Sequence, residues 1–286
     1  VNVATAITSQ PNNVTICANN AVTFSASATG AGVTYQWEKS TDGGTTWNVA
    51  ANQTGYRDME FKPGDPTVVY ACTDQFYMST NSGQSFSNIT SGLPTAANVG
   101  RMAIGVTPAD PTYVYVLSSG NDDGFYSLCR STNSGTSFTQ RSTTPNILGW
   151  NANGGDAGGQ GWYDLAIAVS TSNKDFILCG GVNIWESSNG GTNWALNAHW
   201  TGGGGQPYVH ADIHYIEAQP NNTFWVGCDG GVFKTTNNGV AWTDWCHNLG
   251  IGQMYGIGCS ATTSNRVISG WQDNGTNLYA NNTWDQ

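Results

Sequence analysis

The chain has 286 residues, only 10% of them charged, and a net charge of −10 from nine Lys and Arg against nineteen Asp and Glu. Nine scattered cations cannot neutralise a run of phosphates, which argues against nucleic acid as a partner. No apolar run approaches the ~18–20 residues of a spanning helix, which argues against membrane insertion. Thirty-seven Gly and twelve Trp, with no amphipathic helical stretch, point instead to short strands joined by tight turns.

Residues 1–50 alternate like strands at 14–17, 21–26 and 33–37, and end in Ser40-Thr41-Asp42-Gly43-Gly44-Thr45-Thr46-Trp47. The pattern Ser/Thr-x-Asp/Asn-x-Gly-x-x-Trp/Phe then recurs at 79–86, 131–138, 187–194 and 235–242, at intervals of about 40 to 55 residues. Its Asp or Asn can bond backbone N–H groups in a turn, its Gly suits a backbone angle other residues avoid, and its aromatic is expected to close over the hairpin base. Three strand-like segments precede each of the last four copies: 59–61, 68–72 and 76–78; then 102–106, 113–117 and 125–128; then 165–169, 176–179 and 184–185; then 213–218, 224–228 and 232–234. A further set at 255–259, 267–270 and 277–279 begins a unit without the pattern. One unit of about four strands per ~40–55 residues predicts an all-β chain, a β-propeller of four-stranded blades.

The repeated pattern is similar to the Asp-box (BNR) hairpin of sialidases, sortilin-like receptors and xyloglucanase-type glycoside hydrolases, and Pro-x-Asp-Pro runs at 63–66 and 108–111 accompany it there. Gly161-Trp162-Tyr163-Asp164, His210-Ala211-Asp212-Ile213-His214, Asp229-Gly230-Gly231-Val232 and Gln272-Asp273-Asn274-Gly275-Thr276 resemble a secreted branch typical of Bacteroidota. The resemblance covers roughly 55–286. It implies an Asp-box propeller over 51–286, incomplete because relatives of this type continue further, and an extracellular or cell-surface location. Without a signal peptide before Val1, the chain reads as a processed product of export. Residues 1–50 resemble half of an immunoglobulin-like domain; the alternative is that they close the last blade. Activity does not follow, because such hairpins occur in enzymes and binders alike.

Propeller connectivity sorts the loops by face. Entries to first strands and turns between second and third strands crowd one mouth of the channel, and there stand Arg57, Asp58, Asp74, Arg101, Asp122, Asp123, Tyr163, Asp164, Asn183, Asp212, Asp229 and Asp273, read as an acidic ring. The insertions 139–162 and 195–209 bring Trp150, Asp156, Trp162, His199 and Trp200 to the same mouth. Aromatic faces flanked by carboxylates suit sugar rings; the alternative is that these tryptophans cap the core. The expected ligand-binding residues are Trp150, Trp162, Tyr163, Trp200, His210, His214, Asp229 and Asp273.

His210, Asp212 and His214 alternate and would share one side of a strand, which suits a transition metal; a hydrogen-bonded structural cluster is the preferred reading, so no metal or cofactor is expected. Calcium on the acidic ring has no EF-hand-like loop behind it. Of seven cysteines, Cys72, Cys179 and Cys228 occupy equivalent positions and read as buried fillers, while Cys246 and Cys259 are the first pair to test for a disulfide.

Three functions fit. A noncatalytic secreted propeller binding a glycan or surface protein leads. A xyloglucanase-like hydrolase would need facing carboxylates, with Asp164 and Asp212 the best pair and Asp58 and Asp229 in reserve. A structural subunit of an extracellular assembly would self-associate through its N-terminal strands. A sialidase is disfavoured, since the Arg-Ile-Pro motif is missing.

Overall fold

A computed structural model describes residues 6–9, 27–29, 38–39, 48–49, 55–246, 254–263, 266–272, 275–280 and 283–285. The chain divides into two compact units, Val1–Ala50 and Ala51–Gln286. In the first, β1 (Ala6–Ser9) pairs with β2 (Ser27–Thr29), and β3 (Glu38–Lys39) pairs with β4 (Asn48–Val49). The strand-like runs at 14–17, 21–26 and 33–37 lie outside the described residues.

The second unit is five antiparallel four-stranded meanders in chain order. The first blade is β5 (Asp58–Lys62), β6 (Asp65–Cys72), β7 (Phe76–Ser79) and β8 (Ser87–Ile89); the second is β9 (Arg101–Val106), β10 (Val114–Ser119), β11 (Phe125–Ser131) and β12 (Thr139–Ser142). The third is β13 (Ala166–Val169), β14 (Ile177–Gly180), β15 (Ile184–Ser187) and β16 (Ala195–Ala198); the fourth is β17 (Ile213–Gln219), β18 (Thr223–Cys228), β19 (Gly231–Thr235) and β20 (Thr243–Asp244). The fifth is β21 (Met254–Cys259), β22 (Val267–Trp271), β23 (Thr276–Ala280) and β24 (Thr283–Asp285), so it has its own fourth strand. The first strands β5, β9, β13 and β17 lie side by side in succession. This radial order of blades is a β-propeller, with no α-helix among the described residues.

A blade pressed between two others is buried on both faces, so its middle strands read as continuous apolar runs rather than alternating ones. Every residue of Val114–Ser119 is buried, as is every residue of Ile177–Gly180. Three hydrophobic clusters fill the gaps between consecutive blades: Tyr70, Phe76, Met102 and Val116 between the first and second, Leu117, Leu128, Ile167 and Ile177 between the second and third, and Leu178, Ile213, Phe224 and Val226 between the third and fourth. Near the axis the strands approach closely. A Cβ on Gly105 would stand 3.0 Å from Val169 Cγ2 and 3.2 Å from Ile167 Cγ1, so a small residue is needed there.

The repeated turns join β7 to β8, β11 to β12, β15 to β16 and β19 to β20. In each described copy the first hydroxyl is the hub: Ser131 Oγ accepts from Asn133 N at 3.2 Å and Gly135 N at 2.9 Å and donates to Asn133 Oδ1 at 2.8 Å. Asn133 Oδ1 in turn accepts from Ser137 N at 3.0 Å. Gly83, Gly135, Gly191 and Gly239 all have φ between 79° and 87°, which only glycine adopts without strain.

In the later copies the closing aromatic also reaches the preceding blade: Phe138 meets Phe76 edge-on at 5.0 Å, Trp194 donates Nε1–H to Ser142 Oγ at 2.9 Å, and Trp242 donates to Asn197 Oδ1 at 2.9 Å, while Phe86 lies over Gly83 of its own turn. The repeated turn is therefore an inter-blade fastening.

The six described cysteines are free thiols, which corrects the Cys246–Cys259 pairing. Cys259 is exposed, whereas Cys246 Sγ lies against the Gly230–Val232 backbone, accepting from Val232 N at 3.2 Å. Cys72 and Cys179 are fully buried fillers, and Cys228 is half-buried.

Candidate ligand-binding mouth

Opposite the repeated turns, the entries to β9, β13 and β17 and the turns after β6, β10, β14 and β18 build an irregular surface. The long insertion before β13 is ordered by backbone-directed amides. Asn146 Oδ1 accepts from Phe125 N at 2.8 Å while its Nδ2 donates to Gly158 O at 2.7 Å. Gly161 N donates to Asp123 O at 2.9 Å, which fixes the start of the Trp162–Asp164 segment over the second blade. The residues that cap the core from this side are Ile147 and Leu148, both fully buried, and not the tryptophans.

Trp162 is 61% exposed and Tyr163 39%, with ring centroids 5.4 Å apart. Tyr163 is held from two sides: its hydroxyl donates to Asp229 Oδ2 at 2.9 Å, and its ring meets His214 edge-on at 4.7 Å. His214 Nε2 stands 2.7 Å from Asp229 Oδ1, so one carboxylate fixes both rings. Trp150 and Trp200, also exposed, form a second group around the buried Asn183, whose amide donates to Trp150 O at 3.0 Å and whose oxygen accepts from Trp200 N at 3.2 Å. Of the expected binding residues, Trp162, Tyr163, His214 and Asp229 come together, Trp150 and Trp200 share Asn183, and Asp273 lies outside the described residues.

The expected strand of His210, Asp212 and His214 does not form, which corrects their common facing. Asp212 is left-handed at φ 64°, β17 starts only at Ile213, and the register shifts between Ile213 and Tyr215. His210 Nδ1 lies 3.2 Å from Ala211 O, and its ring lies against Gly230. No group of three or more His, Cys, Asp or Glu among the described residues could hold a metal ion.

Asp164 and Asp212 do meet. Gln160 Nε2 donates to Asp164 Oδ2 at 2.9 Å and also to Asp212 Oδ1, so one amide nitrogen bridges the two carboxyls. Asp164 is fully buried, and burial, with the neighbouring Asp212 charge adding to it, pushes its pKa up to about 8. Asp164 Oδ1 is buried without a hydrogen-bond partner among the described residues, which disfavours the charged carboxylate. Gln160 was invisible in the sequence, one polar residue within a glycine-rich stretch.

A cavity of about 280 Å³ runs below, between the first strands of four blades, and is lined by Arg57, Asp58, Glu60, Arg101, Tyr215 and Glu217 among others. Asp58 accepts from Ile104 N at 2.7 Å and so ties the first blade to the second. Burial, then the Asp58 and Glu217 charges, push Glu60 up to about 8. The ring of acids read from the sequence is thus largely engaged or protonated: Asp74 accepts from Thr73 Oγ1 at 2.7 Å and Asp122 from Gly124 N at 3.2 Å within their own turns.

No family model and no curated protein sequence matches the chain. Among solved structures it is similar to the GH74 xyloglucanase from Xanthomonas campestris, at 17% identity and a TM-score of 0.52, over 81% of this chain and 37% of that one. The GH74 enzyme of Niastella koreensis is similar at 21% identity and a TM-score of 0.45, over 81% of this chain and 31% of that one. YCF48 bound to D1 peptide gives 12% and 0.44, over 81% of this chain and 68% of that one. The chain therefore spans about a third of the length of the GH74 enzymes. At such identities the likeness concerns the fold, a β-propeller shared by proteins with different ligands.

Proposed function

We propose that the chain is a noncatalytic, secreted or cell-surface propeller that binds a glycan at the channel mouth. The observation that carries this reading is the Trp162–Tyr163 platform: an exposed indole beside a tyrosine whose ring and hydroxyl are already fixed by His214 and Asp229. A preorganised aromatic surface offers its face to sugar C–H groups without ordering cost, and nearby amides and carboxylates suit the hydroxyls. The Asp164/Asp212 geometry favours binding over hydrolysis. An inverting glycosidase keeps its carboxyls about 6.5–9.5 Å apart to admit a water, whereas these two are bridged by a single amide nitrogen and one is fully buried.

Screening the full chain against a glycan array tests the reading. Wild type should bind at least one glycan, and Trp162→Ala should weaken that binding by about 1–3 kcal/mol, the worth of one buried aromatic face. An array without hits, or a hit that Trp162→Ala leaves intact, removes it. Release of reducing ends by wild type that vanishes in Asp212→Asn would instead favour the hydrolase.

A further inference from the structure

Two guanidinium groups line the same cavity, where the Asp58 carboxylate acts on Arg101 without reaching ion-pair distance. Arg57 opens β5 and Arg101 opens β9, on neighbouring first strands, and among the described residues neither makes an ion pair. Arg101 Nη1 donates to the carbonyls of Trp162 at 3.4 Å and Tyr163 at 3.0 Å, which brings the guanidinium directly beneath the aromatic platform. Its Nε is buried and has no acceptor among the described residues. Arg57 is exposed, and no hydrogen bond from its side chain to a described residue is formed. Asp58 in the same cavity accepts from Ile104 N, and burial raises its pKa.

A buried donor without an acceptor, beside a second cation, is an arrangement that an anion completes. We propose that the glycan carries a carboxylate, that is, a uronic acid, whose ring lies on Trp162 while its carboxylate sits between Arg57 and Arg101. The guanidinium fork matches a planar carboxylate, and the Trp162 and Tyr163 carbonyls that accept from Arg101 tie the charge to the platform. The inference rests on the glycan reading above and narrows it to a ligand class.

The surrounding chemistry agrees. Burial, then the charge of Arg57, lowers the Arg101 pKa against the smaller opposing pull of Asp58 and Asp164, and a bound anion adds to that pull. The net charge of −10 does not prevent this, because distant charges are screened within about 8 Å at physiological salt. Asp164 and Glu60, the buried acids of the mouth and cavity, are pushed up to about 8 and carry little charge at pH 7.

Calorimetric titration of the full chain with oligomers of galacturonate, glucuronate and mannuronate, with their methyl esters, with cello-oligosaccharides and with a Glu-rich peptide tests the proposal. At least one free acid should bind tenfold or more tightly than its ester. Arg57→Gln should erase that difference while leaving ester binding and the melting temperature near wild type, and added salt should weaken the acid alone. Equal affinity for acids and esters, or binding only of neutral sugars, overturns the carboxylate site and leaves the glycan reading standing. Binding of no sugar at all removes both, and tighter binding of the peptide replaces the uronic acid with an acidic protein segment.

Discussion

On one face of the second unit, four turns repeat the same hydrogen bonds atom for atom around Ser79, Ser131, Ser187 and Thr235. On the other, the turns and entries differ from blade to blade in length and side-chain contacts, and the insertion before Trp162 is held by bonds of its own, among them Asn146 Nδ2 to the Asp156 and Gly158 carbonyls and Gly161 N to Asp123 O. The strands are common to both faces, so the difference lies in what the turns touch. The repeated turns meet the preceding blade, where every junction poses the same packing problem. The mouth turns meet solvent, and nothing forces them to agree. Stability is concentrated on the first face, and recognition has freedom to vary on the second.

The largest effect that would sharpen this contrast comes from Gly191. Its φ is 80°, and a Cβ there would collide with the buried Leu128 of the preceding blade. Gly191→Ala should cost about 2–4 kcal/mol from backbone strain and overpacking together, read by denaturant unfolding. A loss below about 0.5 kcal/mol would mean the turn yields freely and is no fastening. Ser131→Ala comes next. It removes the acceptor of two backbone N–H groups, one of them buried, and should cost about 1–2 kcal/mol.

Asp164 breaks the comparison in the other direction, because it is a mouth residue that affects stability through pH. Its carboxyl ionises near the ordinary value in the unfolded chain but only at about 8 in the fold. Between those limits the native state holds a proton that the unfolded state has released, so stability falls as pH rises from about 4 to about 8, by at most about 1.4 kcal/mol per unit. Glu60 contributes with the same sign over a similar window. Asp164→Asn mimics the protonated acid: its oxygen can accept from Gln160 and its amide can donate to Asp212. The variant should fold, with a flatter decline of melting temperature between pH 5 and 8. An unchanged slope would show that Asp164 is not the titrating group.

Much of the propeller was legible because its cause is local and periodic. Turn spacing located the described blades, and the equivalent places of Cys72 and Cys179 marked a buried position. The mouth was legible only as a list of polar residues. Pairing His214 with Asp229, or Asp164 with Asp212 through Gln160, depends on contacts across blades, and a left-handed Asp212 leaves no trace in an alternating run. The same holds for charge. Arg101 was read as one more residue of an acidic ring, whereas its burial beside the Trp162 carbonyl makes it a feature of the mouth. The docking of Trp194 and Trp242 onto the previous blade is likewise a relation between repeats, which the pattern within one repeat cannot express.

The division of labour between the faces is tested most directly by measuring melting temperature and affinity for the best array glycan on the same two variants, Ser131→Ala and Trp162→Ala. Trp162 is 61% exposed and contributes little packing, so Trp162→Ala should keep its stability within about 0.5 kcal/mol and lose binding. Ser131→Ala should lose stability and keep its affinity. Loss of affinity in Ser131→Ala with an unchanged melting temperature, or unfolding of Trp162→Ala with intact affinity, would contradict the assignment of binding to the mouth and stability to the turns.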